Sequence, residues 1–266
     1  MQLSLSPESD SALRDVVQFF ECRPDLAHVV GNAMRKSFDE VIDGARTGRY
    51  CVAQLEKTEK TYIGTKVEIV LRDELQLDRG RSLDNLICGH EVDTKFSLSG
   101  GWMIPREAVG EICLLVKCAD EGRFSIGVLR TIPEMLTKGK NQDGKRSVSA
   151  HGKKHIHWMC DDHPMPPNFL QRLDSSVRTR ILSAQSGMQR IRELFLNVNG
   201  QIIPRSVIEQ VARQRDPLRR ARQMKEKLKD QGVVVLCSTY ESDRVQFKQF
   251  GYTDFGPDDW LSIRLP

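Results

Sequence analysis

The stretch LDNLICGHEVDTK, residues 83–95, joins an acid to a short apolar run, a glycine and an alternating charged segment. Asp84 opens it, Leu86 and Ile87 are apolar, Gly89 marks a turn, and Val92-Asp93-Thr94-Lys95 closes it. Side chains alternate between the faces of a strand, so a strand over 91–97 puts Asp93 and Lys95 on one side. Two carboxylates, one at the turn and one on the strand, can hold a hard divalent cation through oxygen. A lysine beside them can steady an anion or a polarised water. That is the minimum equipment for metal-dependent phosphodiester cleavage. The spacing is short, however, and a charged strand braced by surface ion pairs satisfies it too. Glu91 on the same segment keeps that plainer reading open.

Downstream, GHEVDTKFSL, EICLLVKCAD and RFSIGVLRTI read as strands bounded by glycine and charge. The loop SGGWMIPREAVG separates the first two, and its Trp102 either caps the core or faces a substrate. Residues 137–158 carry Lys138, Lys140, Lys145, Arg146, Lys153 and Lys154 against the single acid Asp143. Asn141 and Gln142 can make paired hydrogen bonds to adenine edges, and Arg146 to guanine. Beside an acidic metal centre such a loop would grip phosphates and read bases; a solvated basic loop is the alternative. His155, His157, Cys160 and His163 crowd together, but they leave no second arm to close a zinc tetrahedron, and HIHWMC reads as a strand.

Upstream, a helix is expected from about Ser11 to Phe20, capped by Asp10 or Ser11. Leu26, Val29, Val30, Met34, Phe38, Val41 and Ile42 recur at helical spacing and predict a second helix ending near Gly44. GARTGRY is a basic turn, and the run after it is helical in its latter half, carrying Glu68 ahead of the 83–95 stretch.

The proline-rich DDHPMPPNF reads as a linker or rigid corner. Beyond it, Ile191, Leu194, Phe195 and Val198 share a helix face that Asn199-Gly200 terminates. Pro204 starts a helix running to about Arg215, and Asp216-Pro217 supplies the N-cap and first-turn proline of another. VVVLCST and WLSIRL are strands with a short helical piece between them. That order of elements is the order of a winged helix-turn-helix. Its third helix is apolar at Leu218, Ala221, Met224 and Leu228, and basic at Arg219, Arg220, Arg222, Lys225, Lys227 and Lys229. Such a face suits DNA groove or phosphate contact, or is a plain solvated surface.

A chain of 266 residues suits two domains. Its net charge of +4 is only mildly basic, so the clustering of charge says more than the total. No run of apolar residues is long enough to span a membrane, and MQLSLSPESD is no secretory signal. Cys88, Cys113, Cys118 and Cys237 lie in apolar runs and read as buried thiols of a reducing cytoplasm.

The ordered set GARTGRY, LEKTEKTYIGTKVEI, LDNLICGHEVDTKFS, GGWMIPRE and CLLV resembles type II restriction endonucleases of the NaeI kind. The catalytic domain of that family belongs to the MutH-like branch of the PD-(D/E)xK nucleases. MQRIRELFLNVNGQIIPRSVIEQVARQRD and GVVVLCSTY resemble the family's winged-helix segment. The resemblance runs from about residue 38 to 240. It implies an α/β fold, with a PD-(D/E)xK mixed-sheet core and flanking helices over 1–162 and a winged helix-turn-helix DNA-binding domain over 168–266. It implies an active site of Glu68 (from TKVEI), Asp84 (from LDNLI), Asp93 and Lys95, with Asp84, Asp93 and Glu68 on the metal. Thr94 stands where a cysteine is familiar and is expected to face away and matter little; Glu91 drops to a supporting or solvent-facing role.

The activity implied is Mg²⁺-dependent, sequence-specific hydrolysis of double-stranded DNA, leaving 3′-hydroxyl and 5′-phosphate ends. Lys140, Asn141, Gln142, Lys145, Arg146, Arg219, Arg220 and Arg222 are the expected DNA contacts. A homodimer would fit a palindromic site. A cognate methyltransferase is expected in the same system without direct contact. The chain is expected to be cytoplasmic and away from membranes. The rival readings are a winged-helix DNA-binding regulator that does not cleave, and a MutH-like repair nickase.

Overall fold

Asp10 sets the first helix: its Oδ1 accepts the Leu13 N–H at 3.0 Å, satisfying one of the donors a helix start leaves unpaired. The computed structural model describes residues 9–119 and 122–265. Met1–Glu8, most of the stretch read as lacking a secretory signal, lie outside them. Helix α1 (Ser11–Glu21) is followed by α2 (Leu26–Ile42), the one-turn α3 (Gly44–Thr47) and α4 (Lys57–Glu74). Val30, Met34, Phe38 and Ile42 of α2 are buried, as their spacing predicts. A reciprocal capping box between Glu56 and Glu59 opens α4.

The strands β1 (Asp78–Arg79), β2 (Asn85–Ile87), β3 (His90–Ser97), β4 (Met103–Ile104), β5 (Ile112–Ala119), β6 (Arg123–Arg130), β7 (Arg146–Ser147) and β8 (His157–Pro164) follow, with the short α5 (Ala150–Lys153) before the last. Six of them form one sheet in the order β1-β2-β3-β5-β6-β8, while β4 and β7 pair as a separate ribbon. β3 and β5 run parallel and the other neighbours antiparallel, so the sheet is mixed. β5 and β6 are buried along most of their length, which is why their sequences are apolar at consecutive positions. Trp102 belongs to this core: it is 2% exposed, and its indole N–H donates to the Val116 carbonyl at 2.9 Å. The substrate-facing alternative for Trp102 therefore falls away.

The remaining elements are α6 (Phe169–Arg172), α7 (Ser175–Ser183), α8 (Gly187–Asn197), β9 (Ile202–Ile203), α9 (Arg205–Ala212), α10 (Pro217–Lys229), β10 (Val233–Cys237), α11 (Glu241–Gln249) and β11 (Trp260–Arg264). The three strands form an antiparallel sheet in the order β10-β11-β9. Ile191, Leu194, Phe195, Val211, Leu228 and Trp260 build its core with the helices. α9 stops at Ala212, short of the expected Arg215, because Arg213 turns into the left-handed region at φ 49°. Pro217 takes the first turn of α10 as expected, but the Asp216 side chain makes no capping bond.

The chain divides into two compact units, Met1–Val41 with Leu55–Pro167 and Ile42–Gln54 with Asn168–Pro266. The sequence alone puts 42–54 in the first unit. Its glycines explain the difference. Gly48 has φ 72°, and a Cβ there would overlap the Arg213 guanidinium. Gln210 Nε2 donates to the Arg49 carbonyl at 2.7 Å and Arg213 Nη2 to that of Gly48 at 3.3 Å, fastening the turn to α9.

Among the cysteines, Cys113, Cys118 and Cys237 are buried, whereas Cys88 is exposed. Cys88 sits at the tip of the β2–β3 hairpin with φ 51°, so the apolar run ends one residue earlier than its composition suggests. Among the described residues no helix is long and apolar enough to cross a membrane.

Candidate active site

The β2–β3 hairpin aligns Asn85 with Val92 and Ile87 with His90, which carries Asp84 back alongside the far half of β3. Asp84 Oδ2 accepts the Thr94 main-chain N–H at 2.8 Å. Lys95 Nζ lies 2.7 Å from Asp93 Oδ1, 3.0 Å from the Thr94 carbonyl and 3.6 Å from Asp84 Oδ2. Glu68 reaches the same cluster from α4, where its carboxylate interacts with Asp84 and accepts from Arg72 Nη2 at 3.3 Å. Three elements thus bring Glu68, Asp84, Asp93 and Lys95 together.

Crowding sets the protonation. Burial, then the hydrogen bond shared with Asp84, push the Asp93 carboxyl up to about 7, against the pull of Lys95. Burial also pushes Asp84 up, but hydrogen bonds from Asp93 and the Thr94 N–H, with the charge of Lys95, bring it below the usual carboxylate range. Glu68 is raised by burial and by Asp84. Burial disfavours the charge on Lys95, yet Asp93 and Asp84 outweigh it and raise its pKa. The acids behave as one coupled set in which Asp93 carries the proton near neutrality.

Asp93 Oδ2 is buried and receives no hydrogen bond from an N–H or hydroxyl group, which leaves only the proton shared between Asp93 and Asp84 to serve it. When that proton leaves, a buried acceptor without a donor is costly, and an all-oxygen donor set with one such atom suits a hard cation. Among the described residues no three His, Cys, Asp or Glu side chains stand in ready-made metal geometry. Lys95 bridges the two aspartates in that arrangement. The donors fit a divalent ion in chemistry, with Lys95 now bonded to the acids such an ion would use.

Two neighbours escaped sequence reading. Arg72 Nε donates to Asn85 Oδ1 at 2.8 Å, and Asn85 Nδ2 donates to Thr94 Oγ1 at 2.8 Å. The signals available were an arginine one helical turn after Glu68 and an asparagine next to Asp84. Thr94 faces away from Asp93 and Lys95, as alternation requires, but the expectation that it matters little is corrected. Its N–H donates to Asp84, its carbonyl accepts from Lys95, and its hydroxyl oxygen, the one group here that belongs to the side chain, accepts from Asn85 Nδ2. Glu91 accepts the N–H groups of Arg81, Ser82 and Leu83, so it braces the turn that leads into Asp84.

The expected DNA contacts stand on other elements. Lys140, Asn141 and Gln142 are exposed and Lys145 is half-buried in the loop before β7. Asn141 closes that loop, its Oδ1 accepting the Lys145 N–H at 2.8 Å. The Arg146 guanidinium donates to the carbonyls of Thr137, Pro133 and Leu136. Arg219, Arg220 and Arg222 are exposed on α10, whereas Lys225 is paired with Asp243 at 2.6 Å. The histidines go to separate partners, His157 to Glu21 and His155 to the His151 carbonyl.

Residues 16–266 match the family described as restriction endonuclease NaeI. The chain belongs to the NaeI restriction endonuclease family. Over 248 residues it is 36% identical to the type II restriction enzyme NaeI of Lentzea aerocolonigenes, a match covering 89% of this chain and 78% of that enzyme. Membership of the NaeI family makes it a sequence-specific endonuclease acting on double-stranded DNA, and favours neither the non-cleaving regulator nor the repair nickase. Type II restriction enzymes generally use divalent metal ions.

Proposed function

We propose that this NaeI-family enzyme hydrolyses DNA phosphodiester bonds at the cluster of Glu68, Asp84, Asp93 and Lys95. The observation that supports this most is the placement of one lysine against two aspartates, with Asp93 Oδ2 buried and served by no N–H or hydroxyl donor. Asp84 and Asp93 would hold Mg²⁺, and Glu68 a second ion or a water. When bound, the ion supplies positive charge to the non-bridging phosphate oxygens. Lys95, kept charged by its acidic neighbours, orients the attacking water and offsets phosphate charge. Glu68, raised by burial and Asp84, is the carboxylate suited to take the water's proton. A bond forms from water oxygen to phosphorus, the bond to O3′ breaks, O3′ takes a proton from solvent water, and the ends are a 3′-hydroxyl and a 5′-phosphate.

The second unit runs helix, strand, helix, helix, strand, helix, strand from α8 to β11, which supports a winged helix-turn-helix with α10 as its recognition helix. Arg219, Arg220 and Arg222 are its phosphate contacts. In the first unit, Lys140, Asn141, Gln142 and Lys145 meet DNA, while the bonded Arg146 shapes the loop that presents them. On this reading 1–41 with 55–162 carries catalysis and 168–266, joined by 42–54, carries a DNA-binding domain. A homodimer acts on a palindromic site in the cytoplasm, and a methyltransferase in the same system protects host DNA without contacting the enzyme.

The test is cleavage of a sequenced supercoiled plasmid with Mg²⁺ by wild type, Asp93→Ala and Lys95→Ala. Linear product from wild type, lost in both variants, is expected. Full cutting by either variant would remove the residue assignment.

A further inference from the structure

Arg72, Asn85 and Thr94 form a chain of hydrogen bonds from α4 through β2 to β3. Arg72 Nε donates to Asn85 Oδ1 at 2.8 Å, and Asn85 Nδ2 donates to Thr94 Oγ1 at 2.8 Å. Asn85 is 1% exposed and Thr94 is 4% exposed, so water does not compete for the bond between them, while the Arg72 bond is half-buried. Arg72 turns a second nitrogen, Nη2, to Glu68 Oε1 at 3.3 Å. At its other end the chain reaches the reacting cluster, because the Thr94 N–H holds Asp84 and the Thr94 carbonyl holds Lys95. One guanidinium therefore ties the Glu68 carboxylate to the strand that carries Asp93 and Lys95.

We infer that Arg72 is a positioning residue for DNA cleavage, fixing Glu68 against the acid cluster through Asn85 and Thr94. The inference rests on the residue assignment proposed above. Glu68 arrives from a helix, whereas Asp84, Asp93 and Lys95 come from one hairpin; the buried face of α4 sets the distance between helix and sheet, and the Arg72–Asn85–Thr94 chain adds a directional link to it. A guanidinium suits that link: its planar fork serves the amide oxygen with one nitrogen and the carboxylate with another. Lysine carries the charge but cannot make both bonds in fixed directions. Asn85 cannot be replaced by aspartate without cost, because its amide nitrogen supplies the bond to Thr94. Supporting hydrogen bonds of this kind around a metal site are worth roughly 10- to 100-fold in affinity or activity.

The experiment compares full-length wild type, Arg72→Gln, Arg72→Lys, Glu68→Gln and the Arg72→Gln/Glu68→Gln double variant. Single-turnover cleavage, DNA affinity in Ca²⁺ and calorimetric Ca²⁺ binding to the DNA complex are measured for each. Thermal melts establish that every variant is folded. The expected result is a cleavage rate for Arg72→Gln lower by about 10- to 100-fold with DNA affinity within about twofold. Ca²⁺ binding weakens in parallel, Arg72→Lys restores little, and the double variant is no slower than Glu68→Gln alone. Additive losses would mean that Arg72 acts on DNA independently of Glu68, and would overturn the inference. So would an unchanged rate in Arg72→Gln while Glu68→Gln is inactive. Should Glu68→Gln itself cut at the wild-type rate, the failure would lie with the assignment of Glu68. If Arg72→Gln melts early, folded Asn85→Asp gives the same readouts, and its retention of wild-type rate and Ca²⁺ binding would overturn the inference.

Discussion

Lys95 Nζ is 2.7 Å from Asp93 Oδ1 and 3.6 Å from Asp84 Oδ2, so a single ammonium faces both acids and, with the proton that Asp93 keeps up to about pH 7, offsets their mutual repulsion. The buried pair is held by that cation, and removing it leaves carboxylates without compensation. Lys95→Ala should therefore lose cleavage by on the order of 100-fold or more. Lys95→Arg should rescue little, because a planar fork does not replace a compact ammonium in this space. Single-turnover rates on plasmid DNA check both statements.

Asp93 gives a pH signature. Its carboxyl is raised from 3.8 to about 7 in the folded chain, by burial first and Asp84 second. The folded state thus binds this proton more tightly than the unfolded chain does. The stability it contributes is complete below the unfolded value and is lost as pH rises through about 7. Asp84 is shifted the other way, so its contribution fades only in acid. Metal-free wild type should melt at lower temperature as pH rises from about 5 to about 8, and Asp93→Asn should show a shallower fall. Identical slopes in the two proteins would contradict the raised value.

A divalent ion competes for the same proton. Binding of Mg²⁺ to Asp93 at pH 7 should release a fraction of a proton, because a metal-binding carboxylate must be ionised. Calorimetry in buffers of different ionisation enthalpy reads that release. Enthalpies independent of buffer would show that Asp93 does not change protonation on binding.

Arg146 is bonded to three main-chain carbonyls around the 133–137 corner. Arg146→Ala should loosen the 138–145 loop and make it a preferred proteolytic site, with weaker DNA binding following from the looser loop. Limited proteolysis with mass mapping decides. An unchanged digestion pattern alongside lost DNA affinity would return Arg146 to direct base reading.

The three exposed arginines of α10 should act through phosphate charge. Changing Arg219, Arg220 and Arg222 together to glutamine should reduce the salt slope of DNA binding by about 0.9 for each phosphate no longer neutralised. Titrations across salt concentration measure it, and an unaltered slope would remove α10 from the DNA.

The helices and strands were legible in sequence wherever burial follows a period. α2 shows its face through Val30, Met34 and Phe38, and β5 shows its burial on both sides through an unbroken apolar run. Asp93 and Lys95 could be placed on one side by alternation alone. Glu68 could not, because nothing in its local pattern tells which strand α4 will cover; only resemblance to a family supplied it. Arg72 and Asn85 look in sequence like ordinary surface and turn residues. Their meaning comes from bonds to partners on other elements, which no periodicity records. Cys88 misled because a hairpin tip can interrupt an apolar run without changing its composition.

The turn at 42–54 shapes how this architecture can be taken apart. The chain passes into the second unit after Val41, returns at Leu55 into the helix that bears Glu68, and departs again after Pro167. A single cut at 167 would strip Gly44 and Gly48 of Gln210 and Arg213, the α9 residue and the residue that ends α9 against which they lie, and leave α9 with an uncovered seat. Neither piece is then a self-sufficient module. Grafting the DNA-binding unit onto another nuclease would need two insertions in register, so new pairings of cutter and reader in this architecture are closed to simple end-to-end fusion.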